Sequence, residues 1–291
     1  MSPGNKFRQA INNNTPLQIV GTVNAYTAMM ATQIGHQAIY ISGGACANTS
    51  YGLPDLGMTS MNDVLEDARR ITAAVDTPLL IDIDTGWGGA FNIARTIKEA
   101  ERAGVAAVHI EDQVSQKRCG HRPNKAIVSE QEMVDRIKAA VDARQDKDFF
   151  IMARTDAYAI DGLPAAIDRA AACVEAGADG VFAEAMASLD EYTAFKDRMN
   201  APLLANMTEF GMSPLFDTHE LSNGGVDMVL YPLTATRAMH KAAELVYQDV
   251  LKKGHQKDMV KHMQTREELY QYLNYHEYEN RLDTLFTHPK K

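Results

Sequence analysis

Leu79-Leu80-Ile81-Asp82-Ile83-Asp84-Thr85 is an aliphatic run interrupted only by two aspartates near its end, and Gly86-Trp87-Gly88-Gly89 follows at once. A run this short and this apolar reads as a strand buried on both faces, the mark of a parallel sheet. Seven more runs of the same kind occupy residues 18–23, 38–43, 107–112, 149–155, 180–185, 203–209 and 228–233. Between them, segments such as 62–75, 91–103, 130–143, 163–176 and 189–199 carry apolar residues at three- and four-residue spacing, which predicts helices. Ala103-Gly104 and Ala176-Gly177 are helix stops before the next strand. Eight strand–helix units predict an α/β fold, a closed (β/α)8 barrel of the TIM type rather than an open doubly wound sheet, and no G-x-G-x-x-G follows the first strand.

Beyond the eighth run, two long helical patterns at 235–252 and 256–275 precede a polar tail. One completes the barrel. The other is surplus, which predicts a helix packed on a neighbouring subunit. No linker or low-complexity run divides the chain, so residues 1–291 are expected to form one barrel domain with a helical extension from about residue 254 onward.

Composition narrows the function classes. The chain has 29 Lys and Arg against 38 Asp and Glu, a net charge of -9, whose field repels phosphates and argues against nucleic acid or an anionic membrane surface as a partner. Three cysteines, Cys46, Cys119 and Cys173, cannot all pair within the chain, and their scarcity suits a reducing compartment; a cytoplasmic protein is expected. The first residues lack the apolar core of a signal peptide, and no apolar stretch approaches the ~18 residues that span a bilayer.

In a barrel of this type the site lies at the C-terminal ends of the strands. Those ends hold Ser42-Gly43-Gly44, Asp82, Asp84, His109, Glu111, Asp112, Arg154, Asp156, Glu184, Asn206, Thr208 and Glu209. Asp82 and Asp84 stand two apart on one strand, so their side chains share a face and need a cation between them. With oxygen donors only, Mg²⁺ or Mn²⁺ fits better than Zn²⁺, and Glu111 and Glu184 are placed to hold its waters. The competing reading pairs the two aspartates with Lys or Arg. Ser42-Gly43-Gly44 could offer backbone N–H groups to a carboxylate. Arg154, Arg237 and Arg266 are candidate carboxylate clamps, of which only Arg154 sits at a strand end. Cys119 lies within Lys117-Arg118-Cys119-Gly120-His121-Arg122-Pro123-Asn124-Lys125, between the fourth and fifth runs. Cationic neighbours favour the thiolate, so this thiol could accept or deliver a proton near neutral pH; the alternative is a packing cysteine.

Together these segments resemble the isocitrate lyase/phosphoenolpyruvate mutase superfamily nearly end to end. The likeness is carried by residues 16–22, 40–44, Asp82 with Asp84, His109-Ile110-Glu111-Asp112-Gln113, the Cys119 loop, residues 152–157, residues 206–211 and Gln264-Thr265-Arg266. The Cys119 loop is the most specific: isocitrate lyases have a related Cys-Gly-His followed by glycines and are longer chains, and phosphonate-cleaving members generally lack the cysteine. Departures are Trp87 where phenylalanine is usual, Ala183 where proline is frequent, and Met207 where isoleucine is expected.

The resemblance implies a carbon–carbon lyase that splits 2-methylisocitrate into pyruvate and succinate in propanoate catabolism. Isocitrate or a dimethylmalate are alternative substrates on the same scaffold, and a non-catalytic dicarboxylate-binding barrel is the reading from another class. It implies Mg²⁺, with Mn²⁺ as substitute, at Asp82 and Asp84. Substrate contacts would come from Ser42, Gly43, Gly44, Cys119, Gly120, Arg154, Glu184, Asn206, Thr208, Arg237 and Arg266. Tyr40 would lie near the reacting hydroxyl and Cys119 would protonate the departing carbanion, with His121 and Lys117 tuning the thiol. A homotetramer with an exchanged C-terminal helix is implied as well.

Overall fold

The computed structural model describes residues 1–286. Eight strands, β1 (Leu17–Gly21), β2 (Ala38–Ile41), β3 (Leu79–Asp82), β4 (Ala107–Glu111), β5 (Phe150–Thr155), β6 (Gly180–Ala183), β7 (Leu203–Asn206) and β8 (Met228–Tyr231), pair in parallel and in chain order. The sheet closes where β8 pairs with β1. All eight apolar runs are therefore strands, and all but β5 end before their run does, the remaining residues forming the rim.

The helices are α1 (Pro3–Asn13), α2 (Ala25–Ile34), α3 (Gly43–Tyr51), α4 (Met61–Ala74), α5 (Ala90–Arg102), α6 (Glu130–Ala143), α7 (Tyr158–Asp161), α8 (Leu163–Glu175), α9 (Leu189–Arg198), α10 (Thr218–Asn223), α11 (Thr234–Lys253), α12 (Arg266–Leu273) and α13 (Tyr275–Leu285). The barrel helices present one apolar stripe each: α5 buries Ile93, Thr96, Ile97 and Ala100, the spacing of a single helical face. Inside the sheet, alternate residues point inward and form a second core of Leu17, Ile19, Ala38, Tyr40, Leu80, Ala107, Phe150, Met152, Phe182, Leu204, Met228 and Leu230. α1, which sequence periodicity did not single out, belongs to this inner core: Phe7 is fully buried and meets Phe150 edge-on at 5.3 Å. Arg8 and Arg144 converge on Asp179 at 2.7 and 2.6 Å and fasten the same end.

The chain falls into two compact units, Met1–Thr236 and a second that begins at Arg237. The second unit corrects one expectation. Residues 256–275 do not form one helix. A 3₁₀ turn over Lys257–His262 gives way to extended backbone at Met263, and α12 starts afresh from a capping box between Thr265 and Glu268. Asn274, left-handed at φ 52°, ends α12, as asparagine can at little cost. α13 then occupies most of the expected polar tail; the tail's last residues, 287–291, lie outside the described residues.

Candidate active site

The period-two alternation that fills the barrel with apolar side chains continues upward into polar ones. Leu80 is followed by Asp82, Ala107 by His109 and Glu111, Met152 by Arg154, Phe182 by Glu184, and Leu204 by Asn206. Register places these on adjacent rungs: Asp82 pairs with His109, Glu111 with Arg154, and Arg154 with Phe182. The Arg154 guanidinium lies 5.0 Å over the Phe182 ring, so an apolar floor supports the charged layer.

Asp82 and Asp84 do converge, but by a different route from strand alternation. β3 ends at Asp82, and Asp84 adopts a left-handed φ of 47°. A Cβ built on Gly43 would lie 3.1 Å from Asp82 Oδ2 and 3.2 Å from Asp84 Oδ1, so both carboxylates crowd one glycine at the start of α3. The Gly43 N–H donates to Asp82 Oδ2 at 3.2 Å, and the Asp84 N–H donates to Asp82 Oδ1 at 2.9 Å. Ser42 caps α3, accepting from the Ala45 N–H. Gly44 packs on Asp55, an acid that the sequence reading passed over because only a Pro54-Asp55 turn marks it. Lys117 completes this corner, 2.6 Å from Asp55 and 2.7 Å from Asp84 Oδ1.

The protonation equilibria follow from burial and neighbours. Burial and the Asp82 charge push Asp84 up to about 6, against the pull of Lys117. Burial also opposes ionisation of Asp82, but His109, Lys117 and Arg154 outweigh it and hold its carboxyl below the usual range. Burial lowers His109 to about 4, so its imidazole is neutral; Nε2 lies 2.8 Å from the Tyr40 hydroxyl. Burial and Asp82 raise the Tyr40 phenol well above its ordinary value. Glu111 is pushed well above the carboxylate range by burial, and neither of its oxygens accepts a hydrogen bond, although Arg154 Nε lies 3.3 Å away. Asn206 Oδ1 and His109 Nδ1 are likewise buried without hydrogen-bond partners. Buried polar atoms without partners are rare in folded proteins; here Glu111 lies against Arg154 and His109 Nδ1 is 3.8 Å from Asp82 Oδ1, as expected where a ligand with its water shell completes the bonding.

Among the described residues, no three His, Cys, Asp or Glu side chains converge as a self-sufficient ligand set. Mg²⁺ does not require one, since it commonly takes one or two protein carboxylates and fills its octahedron with water and substrate oxygens. Asp82 and Asp84, hard oxygen donors in the same layer as Glu111, whose oxygens accept no hydrogen bond, fit that demand.

The Cys119 loop docks on this layer. Gly120 is the point of closest approach: a Cβ there would fall 2.4 Å from both Arg154 Nη2 and Glu184 Oε1. His121 Nδ1 accepts the Met212 N–H at 2.9 Å, which leaves its Nε2–H to donate to Glu184 Oε1 at 2.9 Å. Asn206 Nδ2 donates to the same carboxylate at 3.3 Å. Burial resists the Glu184 charge, yet Arg154 and His121 hold its carboxyl far below the usual range. Arg154 also bonds Asp156 Oδ2 through Nε at 3.0 Å. Tyr40, Ser42, Gly43, Gly44, Asp82, Asp84, Glu111, Gly120, His121, Arg154, Glu184, Asn206 and Thr208 thus all belong to the barrel unit; Arg237 and Arg266 belong to the second unit.

The expected electrostatics of Cys119 need correction. Its thiol is pushed up, chiefly by burial, with the His121 backbone N–H pulling the other way. The Lys117 ammonium is paired with Asp55 and Asp84, and the His121 ring with Glu184 and Met212, and the cation that favours the thiolate is Arg154, distant in the chain. All three cysteines are free, and Cys46 and Cys173 are buried.

The family model of phosphoenolpyruvate phosphomutase matches residues 7–251. A Shewanella oneidensis protein described as 2-methylisocitrate lyase is 65% identical, covering 99% of both chains. A Vibrio cholerae protein of the same description is 64% identical, covering 99% of this chain and 96% of its own. A crystal structure of phosphonopyruvate hydrolase with oxalate and Mg²⁺ superposes with a TM-score of 0.86 at 27% identity, covering 99% of this chain and 100% of that one. Barrel, strand-end layer and Cys119 loop all fall inside the matched span, and the chain belongs to the phosphoenolpyruvate phosphomutase family.

Proposed function

We propose that this protein cleaves the C–C bond of 2-methylisocitrate, releasing pyruvate and succinate. The observation that carries this reading is end-to-end identity above 60% to proteins described as 2-methylisocitrate lyase, in a chain whose Cys119 loop sits on Arg154 and Glu184. Mg²⁺, or Mn²⁺ in its place, held by Asp82 and Asp84 directly or through water, would acidify the substrate hydroxyl and neutralise its adjacent carboxylate. The chain's own residues account for the rest. Arg154, supported by Phe182, provides fixed donors, with Asn206 and Thr208 as further ones, for the carboxylate-conjugated carbanion that departs as the bond breaks. Tyr40, a phenol whose own pKa is raised, can take the hydroxyl proton only while handing its own to His109 Nε2, 2.8 Å away. Cys119, protonated at neutral pH because it is buried, delivers the proton that completes succinate. A raised thiol pKa suits an acid, whereas a thiolate would have nothing to give. Ser42, Gly43, Gly44, Arg237 and Arg266 are proposed as further carboxylate contacts.

Side-by-side kcat/KM values for 2-methylisocitrate, isocitrate and 2,3-dimethylmalate test the substrate assignment. One methyl group in a pocket is worth about 1–3 kcal/mol, so a preference of about tenfold or more for 2-methylisocitrate is expected. A preference for either alternative would assign the site to that substrate instead.

Mg²⁺ binding should depend on pH through Asp84. Above about 6 its carboxylate is ionised and can hold a divalent ion; below that it is neutral and cannot. At about a hundredfold excess over Kd, a ligand stabilises the native state by about 2.7 kcal/mol. The Mg²⁺-induced rise in Tm should therefore be clear at about pH 7.5 and largely lost at about pH 5. An equal rise at both pH values would place the ion away from Asp84.

No helix among the described residues is long and apolar enough to cross a membrane, and three unpaired thiols suit the cytoplasm, where we place the protein. We also propose a homotetramer assembled through the second unit, where Leu245, Tyr247, Leu251, Tyr278, Leu282 and Leu285 are all exposed in the single chain. Light scattering on a chain truncated before residue 256 should give a smaller species, and an unchanged mass would refute this.

A further inference from the structure

Lys125, at the far end of the Cys119 loop, has no part in the chemistry above, yet its side chain is only 3% exposed. Nζ donates to the Gly120 carbonyl at 2.5 Å and to Asp156 Oδ1 at 2.7 Å. Burying an ammonium is costly unless it is paired and hydrogen-bonded, so these are specified contacts and not the resting place of a surface chain. Asp156 is itself fully buried and serves two cations: Lys125 on Oδ1, and Arg154 Nε on Oδ2 at 3.0 Å. Its backbone is fixed in turn, since the Asp156 N–H donates to Asp112 Oδ1 at 2.8 Å and Asp112 is held by Thr155 and Arg169. One fixed carboxylate thus links, through Lys125, the guanidinium expected to grip substrate with the carbonyl of Gly120, the residue after Cys119.

We propose that Lys125 is a positioning residue for proton delivery: through Asp156 it fixes the Gly120 carbonyl, and with it the Cys119 thiol, relative to Arg154. This rests on the lyase reading above. Proton transfer is steeply sensitive to donor placement, and a displacement of about 1 Å can cost about a hundredfold in rate. The rest of the loop is secured separately, by Lys117 on Asp55 and Asp84 and by His121 on Glu184 and the Met212 N–H, so removal of the Lys125 tie loosens the Gly120 carbonyl without detaching the whole segment.

The test is K125M, which keeps the aliphatic stem and removes the ammonium, with K125R to restore charge; K125Q replaces K125M should the latter fail to fold. Expected are a fall in kcat of about a hundredfold with KM within about threefold, and a rise in the solvent deuterium isotope effect on kcat as proton transfer becomes limiting. K125R should recover part of the rate. Independently of any substrate, iodoacetamide should alkylate Cys119 about tenfold faster in K125M, mapped by peptide mass against the buried Cys46 and Cys173. Unchanged kcat overturns the proposal, as does a loss confined to KM with the isotope effect and alkylation rate unaltered. Wild-type protein that releases no pyruvate would sink the lyase reading, while the alkylation rates would still decide whether Lys125 holds the loop.

Discussion

Asp82→Asn should reduce kcat/KM for pyruvate release by about a thousandfold or more, since a metal's polarisation of a substrate oxygen is worth several kcal/mol and each ~1.4 kcal/mol is a factor of ten. Asparagine is the informative replacement. Asp82 accepts the backbone N–H groups of Gly43 and Asp84, both buried, and an alanine would strand them at about 1–3 kcal/mol each. The two N–H groups go to different oxygens, Gly43 to Oδ2 and Asp84 to Oδ1, so the single carbonyl oxygen of asparagine keeps one of the two bonds while removing the charge that a divalent ion requires. The variant should therefore lose less baseline Tm than an alanine variant, which strands both donors, and show no rise in Tm when Mg²⁺ is added. A normal Mg²⁺-induced shift with a much lower baseline Tm would mean that Asp82 is a structural partner of His109 and Lys117 and that the ion sits elsewhere.

The second large effect is at Cys119. Serine preserves size and hydrogen bonding but is a far weaker acid, and general acid catalysis is worth about 10²–10⁴-fold. Cys119→Ser should lower kcat by that order with little change in KM, because the layer of Arg154, Glu184 and Asn206 proposed to grip the substrate is untouched. Wild-type kcat in the serine variant, under conditions where chemistry limits the rate, would show the thiol to be packing and move the proton donor elsewhere.

The eight strands were legible because burial on both faces writes itself locally, as uninterrupted aliphatic runs such as Ala107–Glu111 and Phe150–Thr155. The strand-end chemistry was legible for a related reason: inward alternation continues past the apolar core, so Asp82, Arg154, Glu184 and Asn206 stand out as polar residues where the pattern demands an inward side chain. Partners across the barrel were not legible. Lys117 and His121 look like tuning groups for Cys119 in sequence, but their side chains reach Asp84 and Glu184, which are distant in the chain. The convergence of Asp82 and Asp84 depends on one left-handed residue that no hydrophobic pattern reveals. The break within 256–275 likewise follows from the Thr265 cap and the left-handed Asn274, point features that apolar spacing alone passes through.

The account stands most directly on release of pyruvate by the purified protein. With 2-methylisocitrate and Mg²⁺ it should form pyruvate and succinate in equal amounts, stop when a chelator is added, and resume when excess Mg²⁺ is restored. No pyruvate from an intact, folded protein would contradict it in favour of a barrel that only binds a dicarboxylate, and release that is indifferent to the chelator would contradict the role given to Asp82 and Asp84.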